Sequence, residues 1–294
     1  MVKSPLAEII LTDQGIEGDA HAGPHHRQVS LLAMESIRKY EENTSSKVPM
    51  GGFGENITTE GFALHRVHPL DRFLCGEVIL EITQVGKKCH GNRCAIYKDT
   101  GECIMPDEGI FCRVLQGGRL KPGDQLEYHP KQFDLKVITL SDRAAAGIYA
   151  DRSGILVLED VDKWFQQKGL ALHSESRVLP DEKESFSLEL TAAIGKGTDL
   201  IITTGSTGLG SRDIAPEVAA EHMEKEIPGI MDMIRVKYGS VNPNALLSRS
   251  VAGIAGKTLI FVLPGSTRAV REYLEEILKS LWHMILMVNN IDSH

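Results

Sequence analysis

Two patterns of apolar and polar positions divide the chain. Up to about residue 130, short apolar segments alternate with glycine-rich turns. The pattern predicts strands at Glu8–Thr12, Gln28–Ala33, Glu77–Val85, Ile110–Leu115 and Gln125–Tyr128, with one helix from Met34 to Glu42. Leu120-Lys121-Pro122-Gly123-Asp124 is a turn by composition, since Pro fixes φ and Gly accepts positive φ. Many short strands between turns imply a β-barrel or a sandwich.

From Leu135 onward, strands alternate with helical periodicity. Strands are expected at Leu135–Leu140, Ala171–Val178, Leu200–Thr204 and Lys257–Leu263. Helices are expected at Ile155–Gln167, Lys183–Ile194, Glu217–Glu226 (opened by Pro216) and Thr267–Leu286. Such alternation implies a mostly parallel sheet covered by helices on both faces, a three-layer α/β domain. The polar segment Tyr128-His129-Pro130-Lys131-Gln132 marks the boundary, giving domains 1–130 and 131–294.

The length of 294 residues agrees with two domains. The net charge is −8, and each part carries −4: 14 basic and 18 acidic residues before position 131, 18 and 22 after it. Neither part has the excess of cations that duplex DNA binding demands, so nucleic acid is not an expected partner. No apolar run is long enough to span a membrane, and the first residues lack a signal-peptide core. A cytoplasmic protein is the expectation. The five cysteines, Cys75, Cys89, Cys94, Cys103 and Cys112, are odd in number and all precede residue 113, which suits thiols, ligands or nucleophiles better than a disulfide frame.

The strongest local motif runs from Thr203 through Thr204, Gly205, Ser206, Thr207, Gly208, Leu209, Gly210, Ser211 and Arg212 to Asp213, between a buried strand and a helix. Glycines and small hydroxyls let a backbone approach an anion, and amides at a helix start favour negative charge. Neither the P-loop spacing nor the dinucleotide fingerprint is present, so the loop reads either as a tight turn or as a phosphate cradle. A second such turn, Leu263-Pro264-Gly265-Ser266-Thr267, and Ser141-Asp142-Arg143 after the first strand fall at carboxyl ends of strands, where open α/β sheets bind ligands. Asp213 and Asp181 follow two of those strands. Their hard oxygens suit Mg²⁺, and each is equally placed to cap the helix behind it.

Val137 to Arg143 with Gly147, Asp151, Ser153 and Gly154, the Thr203–Asp213 loop with Pro216-Glu217, Leu247-Ser248-Arg249 with Gly253, and Leu263 to Ser266 together resemble the molybdopterin adenylyltransferase family, MogA- and MoaB-like and similar to the gephyrin G domain. The likeness covers residues 135 to 287. It implies transfer of AMP from ATP to the terminal phosphate of molybdopterin, with Mg²⁺ and release of pyrophosphate. It also implies catalytic or metal roles for Asp181 and Asp213. Ligand contacts are implied for Ser141, Asp142, Thr204, Gly205, Ser206, Thr207, Gly208, Ser248, Arg249, Pro264, Gly265 and Ser266. Ser206 stands where the family usually has Gly, and its hydroxyl is expected to be able to contact phosphate.

In the first domain, Gly86-Lys87-Lys88-Cys89-His90-Gly91-Asn92-Arg93-Cys94 sets two thiols among three cations, which favours the thiolate. His21, His25, His26 and Arg27 form a second cluster, suited to an anion, a metal or plain surface. Gly18 to His21, Arg27 to Ser30, Gly54-Glu55-Asn56, the Cys89–Cys94 segment, Gly109 to Val114 and Gly118 to Asp124 resemble the MOSC domain over residues 5–128. The likeness implies a β-barrel that binds molybdenum cofactor or carries sulfur on a cysteine, with Cys94 ahead of Cys89 as nucleophile or metal ligand. It implies Arg27, His25 and Lys88 as phosphate contacts, and it admits pyridoxal phosphate as a ligand. The two likenesses converge on a bifunctional protein of molybdenum cofactor biosynthesis, a homo-oligomer such as a trimer, serving a molybdenum-insertion protein and molybdoenzymes. The alternative is a non-catalytic carrier or scaffold of the cofactor.

Overall fold

The structure is a computed structural model, and it describes residues 3–87 and 103–291. The chain divides into two units, Met1–Lys131 with Ile291–His294, and Gln132–Asn290.

The first unit is strand-rich. Its strands are β1 (Ile9–Thr12), β2 (Gly15–Ile16), β3 (Val29–Ala33), β4 (Ile57–Thr59), β5 (Arg72–Cys75), β6 (Val78–Val85), β7 (Ile110–Gln116), β8 (Gly118–Leu120) and β9 (Glu127–His129). They form a three-stranded sheet, β2-β1-β8, and a six-stranded sheet, β4-β3-β7-β6-β5-β9. All five residues of β3 are buried. Alternation sends Val29, Leu31 and Ala33 into the main core with Leu80, Ile82 and Cys112. Leu32 faces the other way, against Ile37 and Tyr40 of α1 (Met34–Thr44) and Met105 of α2 (Met105–Glu108). The strands β2, β4, β5 and β8, two to four residues long, were not expected from patterning. The expected 120–124 turn is closed by the Lys121 amide, which donates to Oδ2 of Asp124 at 2.9 Å.

The second unit carries β10 (Gln132–Leu140), α3 (Asp142–Ala145), α4 (Ser153–Gln167), β11 (Ala171–Leu179), α5 (Lys183–Gly195), β12 (Leu200–Thr204), α6 (Ala215–Ala220), β13 (Lys225–Glu226), α7 (Pro228–Gly239), β14 (Ala252–Ala255), β15 (Thr258–Leu263) and α8 (Thr267–Val288). The sheet order is β11-β10-β12-β15-β14-β13. The first four strands run parallel, β14 pairs antiparallel to β15, and β13 pairs antiparallel to β14. Ile138, Leu140, Ile201, Ile260 and Val262 pack under Phe186 and Leu190 of α5 and Val218 of α6. The alternate side chains point to the opposite face, where Phe133 meets Phe165 of α4 and Trp282 of α8 at centroid separations of 5.3 and 6.3 Å. The result is three layers. No helix of the described residues is long and apolar enough to cross a membrane.

The helix expected over Glu217–Glu226 is corrected: it ends at Ala220. Sheet pairing draws the chain away, since the Glu224 and Ile227 amides donate to the carbonyls of Ile254 and Ala252. Gly253 leaves room for this, because a Cβ there would meet the Met223 sulfur at 2.4 Å. Helix α7, opened by Pro228, was missed.

Motifs far apart in the first unit meet at one carboxylate. Asn56 Nδ2 and the His21 amide donate to Asp19, each at 2.8 Å, and Lys3 lies 2.7 Å away. Asn56 Oδ1 in turn accepts from the amide and the hydroxyl of Ser30. Burial opposes ionisation of Asp19, yet Lys3, the His21 amide and Asn56 outweigh it and hold the pKa at about 2, against an ordinary value of 3.8. A lowered carboxylate pKa contributes stability above the ordinary value, and that contribution is lost as pH falls through the folded one. Asp19→Asn should therefore cost about 2 kcal/mol at neutral pH, and the gap to the parent protein should close as pH falls from about 4 to 2, measured by urea unfolding across pH.

Candidate active site

Four strands of the second unit end at one edge of the sheet, and the loops that follow them build the site. After β12 the chain turns at Gly205 with φ of +95°. Its amide donates to the carbonyl of Leu263 at 3.0 Å. A Cβ on Gly205 would sit 2.2 Å from the carbonyl oxygen of Leu140, so only glycine fits. A Cβ on Gly265 would lie 3.2 Å from Cα of Gly205, so the two glycine turns touch backbone to backbone. Together with Thr139, Leu140, Ser141, Tyr149, Asp151, Arg152 and Thr267 they line a cleft of about 440 Å³.

The glycine loop is bonded mainly to itself. Ser206 adopts φ of +54°, which explains why glycine suits this position. Its hydroxyl donates to the Arg212 carbonyl at 3.1 Å and accepts from the Ile214 amide at 2.9 Å. That hydroxyl, expected as a phosphate contact, is engaged within the loop. Oδ2 of Asp213 accepts from the Gly210 amide at 2.8 Å, and a Cβ at Gly208 or Gly210 would crowd that oxygen at 2.8 or 2.9 Å. Arg249, expected as a ligand contact, is likewise committed. It donates to the carbonyls of Gly208 and Asp213, each at 2.7 Å, and pairs with Glu217. Its backbone amide donates to the carbonyl of buried Thr207. The neighbouring Ser248 hydroxyl bonds Ser250 at 2.8 Å.

The acidic side of the site joins three loops. The Asp142 amide donates to Oδ2 of Asp181 and the Asp181 amide donates to Oδ1 of Asp142, both at 3.0 Å. Arg212 forks onto Asp142, Nε to Oδ2 at 3.1 Å and Nη2 to Oδ1 at 2.6 Å. That guanidinium, followed by the Asp181 amide, lowers the pKa of Asp142. Oδ1 of Asp181 is enclosed and has no partner among the described residues. Neither α5 nor α6 shows a side-chain cap, so Asp181 and Asp213 do not serve as the helix caps weighed from the sequence.

The remaining expected residues are placed as follows. Ser141 caps α3 through the Ala144 amide and bonds the Tyr149 hydroxyl at 2.8 Å, and Arg143 lies 5.3 Å from the Tyr149 ring centre. Ser266, after Pro264, caps α8 through the Ala269 amide. The Thr204 hydroxyl bonds Ser153, and Asp151 ties Thr139, Ser153 and the Gly154 amide. Asp151 and Arg212 stood inside quoted motifs and Tyr149 stood in none; none of the three was singled out as a site residue, and only their places in the cleft wall and on Asp142 reveal them. Arg27 and His25 are exposed in the first unit. Cys89 and Cys94, with Lys88 and Arg93, lie outside the described residues. Cys112 is buried, which pushes its thiol pKa far up, and Cys75 and Cys103 are half-buried. Among the described residues no group of three or more His, Cys, Asp or Glu is arranged to hold a metal.

Residues 136–283 match the family described as "Probable molybdopterin binding domain". The chain belongs to this molybdopterin-binding family. Residues 18–127 match the MOSC domain. A protein of Pyrococcus furiosus named "Molybdopterin adenylyltransferase" is 36% identical over 161 residues, covering 53% of this chain and 91% of that protein. The "Molybdenum cofactor biosynthesis bifunctional protein" of Chlorobaculum tepidum is 34% identical over 169 residues, or 57% of this chain. The chain spans 51% of that relative's length. The crystal structure titled tungsten cofactor synthesizing protein MoaB from Pyrococcus furiosus shares 34% identity, covers 54% of this chain and 98% of its own, and superposes with a TM-score of 0.48.

The family domain thus contains both glycine turns and Asp142, Asp151, Asp181 and Asp213. Gly205→Ala should lower the stability of this domain by more than about 3 kcal/mol, because positive φ and a backbone clash coincide. Thermal unfolding checks this, and Gly197→Ala, whose Cβ would meet nothing within 4 Å, serves as the control for positive φ alone.

Proposed function

We propose that residues 132–290 catalyse adenylyl transfer from ATP to molybdopterin, and that the chain serves molybdenum cofactor biosynthesis. The supporting observation is the junction of two glycine turns beside an enclosed, unmatched carboxylate oxygen, at the carboxyl ends of parallel strands. Bare backbone there accepts phosphate groups, and Thr267 at the start of the 22-residue helix α8 brings a helix N-terminus to the cleft wall. In the reaction, an oxygen of the terminal phosphate of molybdopterin forms a bond to the α-phosphorus of ATP. The bond from that phosphorus to the bridging oxygen breaks, and pyrophosphate leaves with the electron pair.

The side chains position more than they react. Asp181 offers Oδ1, and Asp213 lies on the glycine loop, so these two carboxylates would hold Mg²⁺ together with substrate phosphates. The ion, when bound, offsets phosphate charge and polarises the phosphoryl oxygens. One or two protein carboxylates, with substrate phosphates, are what Mg²⁺ takes at a nucleotide site. Arg249 and Ser206 fix the loop that carries Asp213, so their contribution is preorganisation rather than ligand contact.

For the first unit we propose binding and transfer of the pterin product, with exposed Arg27 and His25 meeting its phosphate and Cys94 or Cys89 supplying a thiolate. Molybdoenzymes and a molybdenum-insertion protein are the proposed partners, the assembly a homo-oligomer. A carrier without catalysis is the competing reading.

Pyrophosphate release from ATP, Mg²⁺ and molybdopterin by the full chain separates the two: a catalyst turns over, and a carrier binds the pterin without release. Asp213→Asn should cut turnover at least tenfold, about 1.4 kcal/mol of transition-state stabilisation, while pterin binding survives. For the first unit, Cys94 or Cys89 should react with a thiol reagent at pH 7 faster than a free cysteine of pKa about 8.5, and bound cofactor should protect it. Unimpaired cofactor binding and transfer in the Cys89→Ser, Cys94→Ser double variant would remove the thiolate from the proposal.

A further inference from the structure

Arg212 leaves the glycine loop and reaches the loop that follows β10. Its two-pronged contact fixes the plane of the Asp142 carboxylate, as a guanidinium fork does and a point charge does not. Asp142 then exchanges its pair of bonds with Asp181, so Oδ2 of Asp181 is occupied by the Asp142 amide and Oδ1 is left enclosed without a partner. The backbone of Arg212 is itself held, since its carbonyl accepts the Ser206 hydroxyl. The chain of contacts therefore runs from the loop carrying Asp213 to the carboxylate of Asp181.

The Arg212 and Asp142 side chains are 58% and 45% exposed. An exposed pair of this kind contributes little to folding stability, because water screens it and two long side chains must be ordered to make it. Its geometry is nonetheless bidentate, and it stands one bond away from Asp181, whose enclosed Oδ1 is unmatched among the described residues.

We propose that Arg212 is a positioning residue: it orients Asp142 so that Asp142 holds Asp181 with Oδ1 presented to a hard divalent cation. The proposal rests on the adenylyl-transfer reading for its kinetic test, and not for its binding test. A ligand's outer partner is worth about tenfold to a hundredfold in metal affinity when it orients the ligand.

The experiment uses the full chain and four variants: Arg212→Gln, Arg212→Lys, Asp142→Asn, and Arg212→Gln with Asp142→Asn. Mn²⁺ binding is titrated by water-proton relaxation without nucleotide, as a probe for a hard cation. Arg212→Gln and Asp142→Asn should each weaken Mn²⁺ binding about tenfold or more, with Arg212→Lys between them and the parent. The double variant should be no worse than the weaker single one, because both changes break one chain of contacts. Thermal midpoints should stay within about 3 °C of the parent, as for an exposed pair. In pyrophosphate release, kcat of Arg212→Gln should fall at least tenfold while KM for ATP changes less than about threefold. Unchanged Mn²⁺ binding in Arg212→Gln overturns the proposal. So does multiplication of the two losses in the double variant, which would show that Arg212 and Asp142 act independently rather than through one chain of contacts, or a midpoint that falls in step with the loss of binding. A parent protein that releases no pyrophosphate defeats the adenylyl-transfer reading instead, and the Mn²⁺ titration still decides the role of Arg212.

Discussion

The site depends on one close approach: the backbone of Gly205 lies against the carbonyl of Leu140, with Gly265 behind it. Neighbouring parallel strands are about 4.8 Å apart, and their terminal loops normally splay outward to make room for side chains. Here two loops lack side chains where they meet, so the ends of β10, β12 and β15 stay gathered and amide groups face a shared cleft. Strain at Ser206 follows from the same tightness. A non-glycine residue at positive φ is tolerated because both its hydroxyl and its carbonyl are bonded to the far end of the loop.

Electrostatics at the rim follow from this gathering. Asp142, Asp181 and Asp213 are far apart in sequence, and three carboxylates drawn to one sheet edge would repel. Arg212 and several backbone amides offset that charge. The compensation is uneven: Arg212 and the Asp181 amide lower the pKa of Asp142, whereas one oxygen of Asp181 lacks a partner among the described residues.

Much of the second unit was legible because parallel strands buried on both faces read as continuous apolar runs: Leu200–Thr204 was recovered to the residue, and β15 within one. Helix α7 was not, since its start follows a two-residue strand that pairing alone creates. In the first unit, β3 and α1 carried strong periodicity, while β2, β4 and β8 owe their existence to partners rather than to their own composition. The placement of the expected residues was legible where it was local. Gly205 could be read from the turn it must make, and Asp181 and Asp213 from their places after strands. Bond directions were not legible: nothing in the order of residues says that Arg249 turns onto carbonyls, or that Arg212 reaches Asp142 seventy positions away.

Arg249 grips the loop by the carbonyls of Gly208 and Asp213 and by its own amide against Thr207. Carbonyls are the same at every position of a chain, so this clamp does not inspect the side chains it encloses. Leu209, 71% exposed, and Ser211 beside it can drift through substitution while the loop keeps its shape. Natural variation in this family domain should therefore gather at those two outward positions, giving evolution a place to adjust what meets the loop from outside while its anchoring frame stays constant.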